Sequence, residues 1–529
     1  MRRLGLLFTV LLVAASCATA QQKGQALVAR AIDAMGGVNA LTDVNTLAVK
    51  GTVRQWDPEQ SLAPGGETRF GNESTFTSAA DMGAGAMRID WVRSYAYPAP
   101  RSFTYTEIVT REAGYVAGID TSGRNKQSLD SNPPAHTMSS LRLAAFQREA
   151  RRTSPLLLLE MQRNPDRVAQ VGDVAVGSAS YPAVEYRTAD TLYTVMFDRA
   201  SGLPARIRTL DYDSIWGDVA YDLVLSDWQV LDGVRVATTQ RYELSRRLVM
   251  ETKIADLKKN IPIGAGQLAI PDAFRGGAAR PATADVPYQW VLRRQFTGVY
   301  LDSENASYDT RVSQGLRLSE IAPGVSHAAG GTHNSLVVEM KDSVVVFDAP
   351  VSDRQSNMVL SAVRAKYLHK PIKYLVLTHH HMDHAGGVRA YAAEGATIVV
   401  GKGAGAHFRR VLAAPYTRNP DLTAKDLSGT PVVEVADKWA LNDGTHEVQA
   451  YLLAPNSHTE SMLFGYVPSA RVGFVTDLWN PGPPLPAQLS PLQLAVVTGV
   501  KKAGISPERF AGGHGGVGAY APLAERAGQ

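Results

Sequence analysis

At 529 residues the chain is longer than a single hydrophobic core allows, because cores stop growing near about 250–300 residues, so two domains are expected. Apolar residues make up 45% of the sequence and charged residues 20%, which excludes an extensively disordered protein. The formal net charge is +4 and no block of like charges occurs, which argues against nucleic acid as a partner.

The first twenty residues, 1–20, have the pattern of a secretory signal peptide. Arg2 and Arg3 precede an apolar run over residues 4–15, and Ala18-Thr19-Ala20 offers a cleavage site of small residues. The run is shorter than the roughly 20 residues that cross a bilayer, and no later segment is longer, so no transmembrane span is expected. We therefore expect a protein of the periplasm or a secreted protein.

Cys17, the only cysteine, follows Ala14-Ala15-Ser16 in a sequence that also resembles a bacterial lipoprotein cleavage box. A lipid anchor at Cys17 is therefore an alternative to simple export. After either cleavage no cysteine is left for a disulfide or for a thiolate metal ligand. A metal site in the mature chain would have to use histidine and carboxylate side chains.

Residues 21–275 are predicted to form an α+β domain dominated by an antiparallel sheet. Helical spacing of apolar residues over 24–41 and 138–161 interrupts strand-like segments that continue to about residue 269. Residues 193–212 and 227–243 resemble the curved sheet of bacterial outer-membrane lipoprotein carriers. That resemblance implies a bent sheet over helices, which could hold an apolar ligand.

A linker is predicted over residues 276–310, where glycine, alanine and proline accumulate. Residues 311–529 then show a different pattern, in which short buried strands such as 344–347 and 372–377 alternate with helix-like segments such as 355–367. This alternation predicts a second domain with layers of sheet and helix.

The strand at 372–377 leads directly into His379-His380-His381-Met382-Asp383-His384. Divalent zinc binds neutral imidazole nitrogen and carboxylate oxygen, and a loop that leaves a strand can direct alternate side chains at one point. His379 and His381 alternate in this way. Asp383 and His384 follow along the turn and can face a second point, so this loop could serve two metal ions.

Further donors lie at the ends of apolar strands or in glycine turns, as expected for ligands on a rigid scaffold. They are His458 after the strand-like segment 448–453, Asp477 in the sequence VGFVTDLW, and His514 between two pairs of glycines. Since no cysteine is available, a bridging anionic ligand would have to be a carboxylate, and Asp477 is suited to it.

The motif HxHxDH, followed by a separated histidine, aspartate and histidine, resembles the metallo-β-lactamase superfamily over about residues 315–520. The resemblance implies an αβ/βα four-layer sandwich. It also implies His379, His381 and His458 on one metal, Asp383, His384 and His514 on the other, and Asp477 bridging both. Asp348 resembles an acidic residue that supports the metal loop by hydrogen bonds. The aspartate bridge is closer to hydroxyacylglutathione hydrolases and lactonases than to β-lactamases.

The expected function is that of an exported hydrolase with two divalent metal ions, most simply Zn²⁺. A hydroxide that bridges the ions would attack a small ester, lactone, thioester or amide, with Asp383 as the catalytic residue that orients the water. One alternative is an iron-dependent oxidoreductase of the same fold. Another is a periplasmic protein that binds lipid or lipoprotein through its N-terminal sheet.

The other histidines are not assigned as ligands. His327, His333 and His380 lie close to the motif in sequence or by family position, but a structural role is favoured for each. Four more are expected at the surface because their neighbours are polar: His136, His369, His407 and His446.

Overall fold

The computed structural model describes residues 20–97, 100–120, 133–264, 266–275, 287–295, 316–330, 333–419 and 425–528. Cys17 and the predicted signal peptide up to residue 19 lie outside these ranges. So does most of the predicted linker, although a helix spans Tyr288–Gln295 within it. Within the described ranges, no helix combines the length and the hydrophobicity that a membrane crossing requires.

The chain separates into two compact units. The first comprises Met1–Trp56, Phe70–Asp211 and Val219–Ser303, and the second comprises Asp57–Arg69, Tyr212–Asp218 and Glu304–Gln529. Two short segments from the N-terminal half of the sequence therefore belong to the second unit.

The first unit is built on a 13-stranded sheet, and its order is β6-β5-β4-β3-β2-β1-β13-β12-β11-β10-β9-β8-β7. The strands are β1 (Thr46–Asp57), β2 (Arg69–Asp81), β3 (Ala86–Tyr95), β4 (Arg101–Val109), β5 (Gly114–Gly118), β6 (Ala135–Thr137), β7 (Val168–Val176), β8 (Ala179–Arg187), β9 (Leu192–Phe197), β10 (Pro204–Asp213), β11 (Gly217–Leu231), β12 (Val234–Leu244) and β13 (Arg247–Lys259). Neighbouring strands are antiparallel, for example β3 with β4 and β12 with β13. The predicted antiparallel meander is confirmed.

Alternation of buried and exposed side chains explains why these segments form strands. In β3, Ile89, Trp91, Arg93 and Tyr95 are buried while Val92 and Ser94 between them are exposed. Helices of this unit cover residues 20–34, Gly37–Thr42, Ser140–Thr153, Leu157–Arg163, Asp272–Arg275 and Tyr288–Gln295.

The helix predicted over 138–161 is two helices rather than one. The first ends at Thr153 and the second begins at Leu157, with Pro155 between them. Proline has no backbone N–H and its ring clashes with the preceding helical turn, so a continuous helix cannot pass through this position.

The second unit contains two mixed sheets. The seven-stranded sheet has the order of the sequence: β14 (Arg317–Ala322), β15 (Val325–Ala329), β16 (Ser335–Glu339), β17 (Val344–Phe347), β18 (Ile372–Val376), β19 (Thr397–Gly401) and β20 (Val432–Val435). The strands of the six-stranded sheet also follow one another in sequence order. They are β21 (Lys438–Asn442), β22 (Glu447–Leu452), β23 (Leu463–Val467), β24 (Val472–Val475), β25 (Arg509–Gly512) and β26 (Val517–Ala519). Helices cover Asp353–Lys366, Met382–Ala385, Val388–Ala393, Gly405–Ala413, Pro491–Ala503 and Ala521–Arg526.

The two sheets of this unit share one hydrophobic core. Phe347 of β17 and Phe474 of β24 have ring centroids 5.7 Å apart within a cluster that takes buried residues from both sheets. The helix Asp353–Lys366 buries Val359 and Val363, and the helix Pro491–Ala503 packs in a second cluster with residues of the six-stranded sheet. This arrangement of helices and two sheets agrees with the predicted four-layer sandwich.

Polar residues follow several of these strands where each strand ends. Asp348 follows β17, His379 follows β18 after two residues, Asp477 follows β24 and His514 follows β25. Because β17 and β18 are parallel, and β24 and β25 are parallel, their carboxyl ends lie at the same edge of each sheet. The topology therefore places the four side chains at the carboxyl-end edges of the two sheets.

Candidate metal centre

Three buried imidazoles form a first cluster, composed of His379, His381 and His458. The Nε2 atoms of His379 and His458 are 3.1 Å apart. Two tetrahedral ligands at about 2.0–2.1 Å from one zinc ion lie about 3.3 Å apart, so this spacing suits a shared cation. The Nδ1 atom of His381 is buried and has no hydrogen-bond partner among the described residues, as expected for a ligand atom.

A second cluster contains Asp383, His384 and His514, which were predicted together, and also His333. The Nε2 atoms of His384 and His514 are 3.1 Å apart. His333 Nε2 lies 3.3 Å from Asp383 Oδ2. The short helix Met382–Ala385 presents Asp383 and His384, so one loop contributes to both clusters.

Asp477 lies between the two clusters. Its Oδ2 atom is 3.4 Å from Nε2 of His379 and of His458 in the first cluster, and 3.1 Å from Nε2 of His384 in the second. Its Oδ1 atom is 3.0 Å from His514 Nε2. One carboxylate thus reaches four imidazoles from both clusters.

Asp348 accepts hydrogen bonds from the loop that carries the motif residues His379 to His384. Its carboxylate accepts hydrogen bonds from the backbone N–H of Thr378 at 2.7 Å, from the Thr378 hydroxyl at 2.9 Å and from Nδ1 of His384 at 2.9 Å. Because Nδ1 of His384 donates this hydrogen bond, Nε2 is the ring nitrogen that faces the second cluster. Asp348 and Asp477 both have left-handed backbone conformations, with φ of 61° and 55°, which non-glycine residues adopt mainly where the surroundings enforce them.

Glycine allows the loop of His514 to approach the site. A Cβ atom at Gly513 would lie 2.6 Å from the Cβ and Oγ1 atoms of Thr476, and 3.4 Å from Cε1 of His384. No residue with a side chain fits there without displacing β24 or the loop. Gly513 therefore allows the loop of His514 to lie close to Thr476 and His384.

Electrostatics distinguish His384 from two histidines of the first cluster, His379 and His381. Burial, together with the neighbouring imidazoles, lowers the pKa of His379 and of His381 well below the usual value, so both are neutral near pH 7. Burial opposes the charged form of His384, yet the charges of Asp477 and Asp383 outweigh it and raise the pKa of this imidazole. Neutral histidines are the form that binds metals.

Burial also opposes the ionised form of Asp383 and of Asp477, but adjacent histidines hold the pKa of both carboxyls well below the usual value. Asp348 is fully buried, unlike these two carboxyls, and its burial raises its pKa. Buried carboxylates require compensating positive charge. The donor set of imidazole nitrogens and carboxylate oxygens could therefore hold divalent cations such as Zn²⁺.

The segment Asp57–Arg69 contributes contacts that the sequence patterns did not indicate. Gln60 Nε2 donates to Asp383 Oδ1 at 2.9 Å, and the carbonyl of Ser61 accepts from His381 Nε2 at 3.0 Å. Arg69 donates to the carbonyl of His458 at 2.7 Å. These residues are separated from the motif by more than 300 positions, so no local pattern could reveal them.

The prediction that His136 and His407 lie at the surface was wrong, because both are buried. His333, for which a structural role was favoured, lies in the second cluster. His380 belongs to neither cluster, and its Nε2 atom contacts the carbonyl of Ser61 at 2.9 Å. Burial lowers its pKa to about 3.

One family model matches the part of the chain that contains both clusters. The family model of the metallo-beta-lactamase superfamily matches residues 328–516. No curated protein matches the chain. Similar solved structures include a metallo-beta-lactamase from Pontibacter korlensis, with 20% identity over 40% of this chain and 97% of that chain, at a TM-score of 0.30.

Two further structures are similar to a comparable share of the chain. A B3 metallo-beta-lactamase with an active site glutamic acid has 19% identity over 41% of this chain and 90% of that one, with a TM-score of 0.29. The sec-alkylsulfatase Pisa1 from Pseudomonas sp. has 17% identity over 40% of each chain, with a TM-score of 0.31. By the family match, residues 328–516 of this chain belong to the metallo-beta-lactamase superfamily.

Proposed function

We propose that this protein is an exported hydrolase with two divalent metal ions, most simply Zn²⁺, that acts on a small ester, lactone, thioester or amide. The observation that carries the proposal is the position of Asp477, whose carboxylate is 3.0–3.4 Å from His379, His458, His384 and His514. A carboxylate shared by two groups of imidazoles is the arrangement that two neighbouring cations need. Export rests on the signal-peptide pattern of residues 1–20.

Bound divalent cations lower the pKa of water and polarise the electrophilic atom of a substrate. The residues of this chain hold the arrangement in which that chemistry occurs. Asp348 and the carbonyl of Ser61 fix the tautomers of His384 and His381, because each accepts a hydrogen bond from the ring nitrogen that faces away from the clusters. Asp383 accepts the hydrogen bond of Gln60 through Oδ1, and its Oδ2 faces the second cluster, where it would orient the attacking water.

The test uses the purified full-length protein. About two zinc ions per chain are expected, together with turnover of at least one member of a panel of esters, lactones, thioesters, amides, phosphodiesters, sulfate esters and β-lactams. His381→Ala and His458→Ala should each lose metal and activity. His369→Asn is the matched control, because His369 is exposed and its backbone φ of 70° suits asparagine.

Unchanged hydrolysis in His381→Ala or His458→Ala would refute the assignment of the first cluster. Bound iron with consumption of oxygen and no hydrolysis would instead favour the oxidoreductase alternative. The two outcomes are separated by metal analysis and an oxygen electrode on the same preparation.

A cavity in the first unit favours a second, additional function, the binding of an acyl chain. The cavity has a volume of about 900 Å³ and its walls include Phe76, Trp91, Leu158, Val195 and Ile207. This volume and apolar lining suit a lipid-sized ligand. Charged side chains also line the cavity, among them Arg111, Arg151, Glu160 and Arg163, and could face a polar headgroup.

Lipid extracted from the purified full-length protein and identified by mass spectrometry would test this second function. Ile207→Trp should reduce the bound lipid and leave the metal content unchanged, because a larger side chain fills part of the cavity. Protein that carries no lipid and does not bind a fluorescent fatty acid would contradict it.

A further inference from the structure

His333 faces the second cluster with a side chain that is only 9% exposed. Its Nε2 atom is 3.3 Å from Asp383 Oδ2, and its ring centroid is 4.4 Å from that of His514 and 5.4 Å from that of His384. The potential ligand atoms of these four residues all lie within 4.8 Å of one another. By distance, His333 is as much a member of this cluster as the three residues that the sequence motif identifies.

The backbone next to His333 is attached to the loop that carries His514. Asn334 donates its backbone N–H to the carbonyl of Gly513 at 2.8 Å and its side-chain amide to the carbonyl of Gly515 at 2.9 Å. Gln355 donates to the carbonyl of His333 at 3.1 Å. These bonds fix the imidazole of His333 beside that of His514, as pre-organised ligands require.

We infer that His333 is a further protein ligand of the cation in the second cluster, bound through its Nε2 atom. The inference rests on the proposed function, because it requires a cation there. It gives this cation five protein ligands, namely His333, Asp383, His384, His514 and the shared Asp477. The cation of the first cluster has four, namely His379, His381, His458 and Asp477.

The difference in ligand number has a consequence for the reaction. Four protein ligands already complete the tetrahedral set of a zinc ion, so a cation with five is the less open of the two. The cation of the first cluster, with one protein ligand fewer, would more readily accept the electrophilic group of the substrate. The second cluster holds its cation more tightly and is the last to lose it.

The direct test counts the histidines that bind metal in the full-length protein. Cadmium is substituted for the natural metal, the histidine rings are labelled with nitrogen-15, and scalar coupling between cadmium and the ring nitrogens is recorded by NMR. Six coupled histidines are expected, and His333→Gln should remove one of them. Five coupled histidines in the wild type, all retained in His333→Gln, would overturn the inference.

A pair of variants of similar length separates ligation from hydrogen bonding. His333→Glu supplies an oxygen ligand but cannot donate to Asp383, whereas His333→Gln can donate but is a weak ligand. If His333 is a ligand, the dissociation constant of the second zinc ion should rise at least about 100-fold in the Gln variant and about 10-fold or less in the Glu variant. The reverse order would overturn the inference.

His327→Gln is the matched control. His327 is also buried and its Nε2 atom contacts the carbonyl of Gly512 at 2.9 Å, yet it lies outside both clusters. This variant should keep both metals and all six couplings. A wild-type protein with two bound metals and hydrolytic activity but only five coupled histidines would contradict the inference alone, whereas a wild type that binds no second metal would contradict the proposed function itself.

Discussion

The carbonyl oxygen of Ser61 lies 3.0 Å from Nε2 of His381. A carbonyl only accepts, so Nε2 must carry the proton and Nδ1 is left with its lone pair. That Nδ1 atom is the buried nitrogen without a hydrogen-bond partner among the described residues. A residue from the first part of the sequence therefore determines which nitrogen of a motif histidine is available to a metal.

Gln60 is expected to affect turnover more than metal binding. Replacing it by alanine removes the donor 2.9 Å from Asp383 Oδ1 and should lower kcat about 10-fold, the effect of losing one hydrogen bond to a charged group, while metal content and KM stay near wild type. Steady-state kinetics and metal analysis check this. Ser61→Ala is the control, because it keeps the backbone carbonyl, and a loss of metal in Gln60→Ala would contradict the prediction.

Asp477→Asn should weaken the binding of the metal ions in both clusters. Asparagine has nearly the same size and tolerates the φ of 55°, so the change removes mainly the negative charge shared by the two clusters. We expect less than one tightly bound metal per chain and a decrease in hydrolysis of at least about 100-fold. Loss of one metal with full retention of the other would show that Asp477 does not serve both clusters.

Asp348→Asn should weaken the binding of the metal ion in the second cluster and leave that of the first cluster nearly unchanged. Asparagine has one acceptor oxygen in place of two, so it cannot accept at both positions where Thr378 and His384 donate to Asp348. Weakening of such a contact typically lowers metal affinity about 10- to 100-fold. The free energy of unfolding should also fall by about 1–3 kcal/mol, because buried donors of Thr378 and His384 lose an acceptor. Chelator competition and urea unfolding measure the two effects, with exposed Asp342→Asn as the control.

Gly513→Ala should displace the loop of His514. The added Cβ would lie 2.6 Å from Thr476, and overpacking of this kind costs about 1–3 kcal/mol. Lower thermal stability and weaker binding of the second metal are expected. Gly429→Ala is the matched control, since a Cβ there would meet no atom within 4 Å, and equal behaviour of the two variants would contradict the close approach.

The metal-free protein should lose stability on acidification. Burial lowers the pKa of five histidines, so below about pH 6.5 the unfolded chain binds protons that the folded chain does not. They are His327, His333, His379, His380 and His381. Each of these histidines can lower the free energy of unfolding by about 1 kcal/mol for every pH unit below about pH 6.5.

His384 has the opposite effect on the pH dependence of stability, because its pKa is raised. Its contribution is fully present below about pH 6.5 and is lost as the pH rises through the folded value. Five histidines outweigh one, so urea unfolding of chelator-treated protein should show lower stability at about pH 5.5 than at about pH 7.5. His380→Gln should reduce the difference, and equal stability at the two pH values would contradict the prediction.

The proximity of these side chains could be predicted from the sequence because they follow strand ends that can be recognised locally. His379 to His384 occupy six consecutive positions after a buried strand, and the structure brings them together with His458, Asp477 and His514. The antiparallel sheet of the first unit was predictable for a similar reason, the alternation visible in strands such as β3.

What escaped prediction depends on contacts between distant positions. His333 has polar neighbours in sequence and appears unremarkable until Asn334 is seen to bind the loop of Gly513. The contact of Ser61 with His380 spans 319 positions. Local periodicity carries no information about such pairs.

The segment Asp57–Arg69 lies between β1 and β2 in the sequence but belongs to the unit that contains both clusters. A gene fragment that begins at residue 311 would encode every ligand of the motif and still lack the carbonyl of Ser61 and the carboxamide of Gln60. The second unit therefore cannot be produced as one continuous C-terminal fragment without losing these two contacts, because part of it is encoded between β1 and β2.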